Sequence, residues 1–369
     1  MFELHLAYRD TPRLRALLAA WDEHLAADRP VIQHRWTDIA VWPAARSATV
    51  GASTAIEGNR LTSAQVDDVL SGGHVDAAST DIREVVNYNA ALDQANRAAL
   101  RPDFEWSQEL LRRLNATVMA GLEDDERGEF RRQVVTVGGM FSPPEHHRLP
   151  ALMARLVEWL RSEDAAHPLI RAGLTHLNVV SIHPWINGNG RTARVAGSLM
   201  LMRCGIGSPE LLNVEADIRA DLARYASVLQ ATHGATYNPE EHSATAWLEY
   251  FAEICVNRAG IRRRVMAALP GDFGLLVMEL SGSRGSADWP AILLSARLAP
   301  VRTARMAQLL GLSPGRVRAM LAAMARDGWL EPVGERRGRR YGPGRRLLDL
   351  PLRTPELMDR LRGGRQAPE

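Results

Sequence analysis

The chain has 369 residues, with 45 basic against 43 acidic side chains and the apolar fraction of an ordinary soluble protein. That length suits two or three domains, and no apolar run nears the roughly 20 residues that span a bilayer, which sets membrane proteins aside. The two cysteines, Cys204 and Cys255, lie far apart and form no CxxC, which argues against a disulfide framework or zinc site and, with no leader pattern at the start, predicts a reduced cytoplasmic chain.

Every basic residue other than histidine is arginine, and the arginines are unevenly spread. Residues 303–369 hold 14 Arg against 7 acids, while the remainder holds 31 against 36. A basic tail on a mildly acidic body points to a separate module with an anionic partner, or simply to a solvated tail.

In chain order, the first amphipathic helix is predicted over 12–26, PRLRALLAAWDEHLA. ASTAIEGNRLT follows at 52–62. There Ser53 and Glu57 are spaced i, i+4 on one helix face, and Gly58 is a natural terminator. Glu57 then sits at a helix C-terminus, where the dipole disfavours a carboxylate by roughly 0.3–1 kcal/mol. A partner elsewhere in the chain would offset that cost; a solvated helix-end Glu is the simpler reading.

Apolar residues at three- and four-residue spacing predict further helices over 84–100, 106–122, 149–163, 168–182, 215–232 and 243–269. Between them RRQVVTVGGMFSPP, at 131–144, is β-branched with a Gly-Gly turn and reads as a small β-hairpin. LSGSRGSADWP, at 280–290, is the best linker. Beyond it, residues 303–342 read as a helix, a tight turn, a second helix capped by Ser313 with Pro314 at its first position, and two short strands around a charged wing. That order resembles a winged helix-turn-helix. Arg316 and Arg318 would stand near the start of the recognition helix, with Arg336, Arg337, Arg339 and Arg340 along the wing. DNA and a docked protein are both open as the partner of that module.

The richest stretch is SIHPWINGNGRTAR, at 181–194. Gly188, Asn189 and Gly190 precede an apolar helical run. A Gly-rich turn there aims free backbone N–H groups at one point, at the positive end of the helix dipole, and so makes an anion cradle. Arg191 and Arg194 share the first turn, which predicts that both face the same polyphosphate. A neutral His183 beside that phosphate can take a proton from an incoming hydroxyl. The set suits moving a phosphate-linked group onto an alcohol.

In that order these residues resemble the Fic family signature, H-P-F-x-[D/E]-G-N-G-R-x-x-R, with Trp185 for the Phe and Asn187 for the acidic residue. The resemblance extends from Gly128–Arg131 through the flap to Tyr225 and, more loosely, His233. It implies a mainly α chain: a Fic-type helical core with a β-hairpin flap at 106–268, an N-terminal helical region at 1–105, a linker region at 269–290, the winged helix at 291–345 and a basic tail at 346–369. It implies AMP transfer from ATP to a Ser, Thr or Tyr hydroxyl of a protein. His183 would be the base. The nucleotide would meet Gly188, Asn189, Gly190, Arg191, Thr192, Ala193 and Arg194, the flap residues Val137, Gly138 and Gly139, and Tyr225. Arg194 would grip the γ-phosphate, and a target protein would add as a strand to the flap. Asn187 stands at the position that orients Mg²⁺ and offers only a neutral carbonyl, so weak metal binding is expected. The stretch around Ser53 and Glu57 resembles the family's inhibitory motif, which implies a Glu57–Arg194 pair that blocks the γ-phosphate. The rival is a DNA-binding regulator whose core only senses nucleotide. Oligomeric state is left open, a homodimer included.

Overall fold

In the computed structural model, residues 4–26, 37–122, 127–162, 166–207, 209–281, 288–334 and 339–363 are described. The helical periodicities become helices: α1 (Pro12–Ala26), α2 (Trp42–Ile56), α3 (Ser63–Leu70), α4 (Ser79–Ala99), α5 (Gln108–Val118), α6 (Leu149–Arg161), α7 (Pro168–Ile182) and α8 (Asn189–Arg203). They continue as α9 (Val214–Ala220), α10 (Leu222–His233), α11 (Thr245–Glu279), α12 (Trp289–Leu298), α13 (Thr303–Leu310) and α14 (Pro314–Arg326). Strands β1 (Leu330–Val333) and β2 (Arg340–Pro343) pair antiparallel, and α15 (Arg345–Leu348) and α16 (Thr354–Leu361) end the fold. Among the described residues no helix is long and apolar enough to cross a membrane.

Helix α7 is apolar on nearly every side and buried along most of its length, so it forms the centre of the molecule. It packs on α8 and on α11, with α1, α4, α5 and α6 completing a first core around Trp21, Tyr88, Leu114, Leu177 and Trp247. A second core joins the far half of α11 to α12–α16 and the β1–β2 pair. Helix α2 belongs to both. Ile39, Val41, Ala44 and Ala45, at and before its start, lie in the second core, while Val50 lies in the first.

Four expectations change. The helix over 215–232 is two, because Asp221 leaves helical geometry (φ −141°, ψ 69°) and caps α10 by accepting from the Arg224 N–H. The flap hairpin is a single bridge, Val137 to Phe141, around Gly138 and Gly139 at positive φ; the two-stranded sheet lies in the C-terminal unit instead. Residues 269–279 are not linker: α11 runs through Pro270 because Leu269 and Leu276 are buried in the second core. Part of the remaining linker, 282–287, lies outside the described residues. The basic tail is not a solvated extension up to residue 363. Met358 and Leu361 of α16 are buried, the Leu361 carbonyl accepts from Asn213 and Arg258, and the Asp272 carboxylate accepts the Arg353 and Thr354 N–H groups.

Besides that shared core, one carboxylate ties the N-terminal and C-terminal parts together. Asp68 of α3 takes Arg302 at 2.9 Å and Arg340 at 2.8 Å, and all three side chains are largely shielded from solvent. An exposed pair contributes at most about 1 kcal/mol, and breaking a fully buried one costs about 3–5. Asp68→Ala should therefore destabilise the protein by about 1–5 kcal/mol, more than any surface pair, as read from guanidinium denaturation. A loss within error of zero would show that this junction is held by apolar packing alone.

Candidate active site

The Ser181–Arg194 segment runs from the last turn of α7 into α8. His183 ends α7 in the left-handed region, φ 49° and ψ 58°, a conformation that non-glycine residues hold only when their surroundings fix it. Its Nδ1 lies 3.2 Å from the Val180 carbonyl. A carbonyl can only accept, so the proton is on Nδ1 and Nε2 carries the free lone pair. Burial holds the imidazole down to about 4; the Val180 bond opposes this, and Arg131 adds to it. His183 is therefore a neutral base at neutral pH.

The turn after it is built by side chains. Asn189 accepts from the Trp185 N–H at 3.1 Å and donates to the Trp185 carbonyl at 2.9 Å, so its own side chain is spent on the loop. Only its backbone amide is left for a ligand. Gly188 is left-handed at φ 77°, and a Cβ there would meet Met119 at 2.9 Å and Asn115 at 3.0 Å. The Asn115 amide donates to the Asn187 carbonyl and to Thr192 Oγ1, while its oxygen accepts the Gly128 N–H. Thr192 and Ala193 are wholly buried and serve packing.

The two arginines diverge. Arg194 has a side chain only 1% exposed, and its Nη2 meets Glu57 Oε1 at 2.8 Å. Its Nε donates to Ser53 Oγ at 2.7 Å, and Nη2 also reaches the Ser53 carbonyl at 3.1 Å. Ser53 and Glu57, predicted on one helix face, thus grip one guanidinium. Burial would raise the Glu57 carboxyl, but Arg194, then Arg191, hold it below its ordinary value. Gly190 makes room for that contact, since a Cβ there would stand 2.8 Å from Glu57 Oε1. Arg191 does not point alongside Arg194. It pairs with Glu84 of α4 at 3.2 Å, and the same carboxylate accepts from Asn59.

A buried neutral imidazole, the N-terminus of α8 and an arginine clamped by Ser53 and Glu57 thus surround one loop. Residues 105–201 match the family model described as Fic/DOC family. The chain carries a Fic/DOC domain. Over 157 residues the chain is 40% identical to "Protein adenylyltransferase Fic" of Drosophila erecta and 38% identical to the protein of that name in Drosophila melanogaster. Those matches cover 42% of this chain but 31% and 32% of the relatives, so the shared part is about a third of their length. A solved Fic family protein from Desulfovibrio desulfuricans matches 92% of this chain and 98% of its own, at a TM-score of 0.59 and 24% identity. Fic-1 from C. elegans matches 70% and 72%, at 0.52 and 23%. Both show the fold, which extends well beyond the Fic domain.

The other residues singled out lie around this centre. Asn187 is exposed on the loop. Gly138 and Gly139 turn the flap, and Phe141 stacks on His233 with ring centroids 3.8 Å apart. Tyr225 is 3.0 Å from His176, in a cluster with Trp247 and Tyr250. Arg316, Arg318 and Arg339 are exposed, Arg340 is held by Asp68, and Arg336 and Arg337 lie outside the described residues. Sequence reasoning assigned no site role to Arg131. It is 2% exposed, and its guanidinium donates to the His183, Gln133 and Pro144 carbonyls, fastening the flap to the loop. Asn115 and Glu84 were missed as well; their partners lie 72 and 107 residues away, beyond any local pattern.

An ordinary histidine is half protonated near pH 6.5. His183, held near 4, should stay neutral through that range. The unfolded chain then binds the extra proton between pH 6.5 and 4, so this residue costs stability as pH falls through that window and no more below it. Imidazole ¹⁵N NMR checks the first point: the His183 ring should not titrate near pH 6.5, and a midpoint there would refute the buried neutral base.

Proposed function

We propose that the chain is a self-inhibited protein adenylyltransferase, moving AMP from ATP to a Ser, Thr or Tyr hydroxyl of a protein. The observation that carries this is the placement of His183 Nε2 and the α8 N-terminus around one loop, with Arg194 closed off by Glu57. The name of the Drosophila relatives supports the same activity. In the transfer, His183 Nε2 takes the proton of the target hydroxyl. The hydroxyl oxygen bonds to the α-phosphorus as the bond to the bridging oxygen breaks, and pyrophosphate leaves. Backbone amides at the α8 N-terminus hold phosphate oxygens, and Arg194 receives the γ-phosphate. While Glu57 occupies Arg194, the γ-phosphate meets a carboxylate instead of a free fork, and ATP is left in a nonproductive pose.

The target segment would lie on the flap, where Val134 and Met140 are exposed apolar side chains and strand addition supplies the backbone contacts. For Mg²⁺, Asn187 offers one neutral oxygen, and among the described residues no group of three His, Cys, Asp or Glu side chains stands together. That donor set fits an ion carried mainly by the nucleotide's phosphates and water, with Asn187 as one ligand. The ion would offset the phosphate charge.

The C-terminal unit supports a second reading. The α13–α14 pair, the β1–β2 pair and the Val301–Tyr341 bridge have the order of a winged helix. Arg316 and Arg318 are exposed in the first two turns of α14, while Val317 and Leu321 are buried. A DNA-binding regulator with a nucleotide-sensing core is the alternative this favours.

With [α-³²P]ATP, Glu57→Gly should label protein more strongly than wild type. Adding His183→Ala should cut labelling by about 10²–10⁴-fold. Label that is unchanged by either substitution would remove the adenylyltransferase reading and leave the nucleotide sensor.

A further inference from the structure

One guanidinium reaches three separate stretches of backbone beside the candidate site. Arg131 gives its Nε–H to the His183 carbonyl and an Nη1–H to the Gln133 carbonyl, each at 2.8 Å, and its Nη2 donates to the Pro144 carbonyl. Its own backbone N–H donates to the Pro184 carbonyl at 2.9 Å. Gln133 and Pro144 are the two stems of the flap, and His183 carries the neutral imidazole. All three acceptors of the guanidinium are main-chain carbonyls, so the clamp grips the course of the backbone and no side chain that could swing away. His183 needs such a hold. It ends α7 at φ 49° and ψ 58°, and the last carbonyls of a helix have no partner inside it. Arg131 takes the one that His183 presents. The same backbone dihedrals set where the imidazole leaves the chain, and its Nδ1, 3.2 Å from the Val180 carbonyl, completes the hold on the ring.

We propose that Arg131 is a positioning residue that keeps His183 Nε2 aligned and sets the flap at a fixed distance from it. That role rests on His183 being the base and on the flap carrying the target segment. A hydroxyl presented on the flap and the nitrogen that takes its proton are then both referred to one planar, rigid group, so the reacting atoms meet in one geometry. A lysine at 131 would keep the charge but not the fork, and a single ammonium cannot hold three carbonyls in the directions a guanidinium does.

The test uses the full chain carrying Glu57→Gly, with Arg131→Lys added. Labelling with [α-³²P]ATP should lose about 10–100-fold in kcat. The ATP Kd from calorimetry should stay within about 2-fold, because none of the Arg131 hydrogen bonds reaches α8. Imidazole ¹⁵N shifts of His183 should change from a single Nδ1–H tautomer to a mixture. Amide exchange at Val137 and Ser142, whose N–H groups tie the flap to the Phe141 and Ala235 carbonyls, should quicken. An unchanged kcat or an unchanged tautomer beside a lowered melting point would mark a merely structural role and overturn the proposal, as would ATP affinity falling in step with kcat. If neither chain labels protein, the adenylyltransferase reading falls by itself. The ring then decides for Arg131: a tautomer mixture in Arg131→Lys supports the clamp, and a single unchanged tautomer overturns it. Should Arg131→Lys not fold, the chain without it gives the answer: an Arg131 Nε–H that resists exchange supports the clamp, and one that exchanges freely with solvent overturns it.

Discussion

A guanidinium that is 99% removed from solvent must be compensated or it costs more than the fold can supply. Arg194 meets that constraint through Ser53 of α2 and Glu57, the residue that caps that helix. Those contacts fix where α2 lies against α8. Gly190 is small because Glu57 must pass above it. Asn59, two residues beyond Glu57, closes onto Glu84, which also holds Arg191. The two arginines of the signature thus each pin a different part of the N-terminal region to the Fic domain.

Helix α2 also joins the site to the rest of the chain. Its first turn and the residues just before it are part of the core made by α11–α16, with Ser295 donating to the Ile39 carbonyl at 2.9 Å. Glu57 caps its C-terminus. Asp68, on the next helix, holds both Arg302 and Arg340 of the C-terminal unit. The same element is therefore built into the C-terminal core at one end and into the candidate site at the other. A rigid helix has no slack between those ends, and packed cores shift between discrete arrangements rather than deforming smoothly.

Much of this was legible locally. The limits of α1 and α7 follow from apolar spacing and a proline at the first turn, both local signals. His183, Gly188 and Arg194 could be read as one site because a single stretch of twelve residues, 183–194, carries all three. The direction of Arg191 could not: i, i+3 spacing places it on the same turn as Arg194, but its partner Glu84 comes from α4. The Tyr88–Glu215 hydrogen bond spans 127 positions, so no local pattern marks it. Residues 269–279 read as linker because Pro270 and Gly271 are local breakers, and burial of Leu269 and Leu276 overrode them. Helix α2 mixes Ala, Ser and Thr with apolar residues on several faces, as a helix packed between two cores must, so no single stripe marked its full length.

The central claim is that Glu57 and the γ-phosphate compete for one guanidinium. A crystal structure of the wild-type chain soaked with ATP tests it most directly. Glu57 should still sit within hydrogen-bond distance of Arg194, with the γ-phosphate turned away and the α-phosphorus out of line with His183 Nε2. In Glu57→Gly crystals the γ-phosphate should lie on Arg194 instead. A wild-type structure in which Arg194 holds Glu57 and the γ-phosphate together would contradict the account.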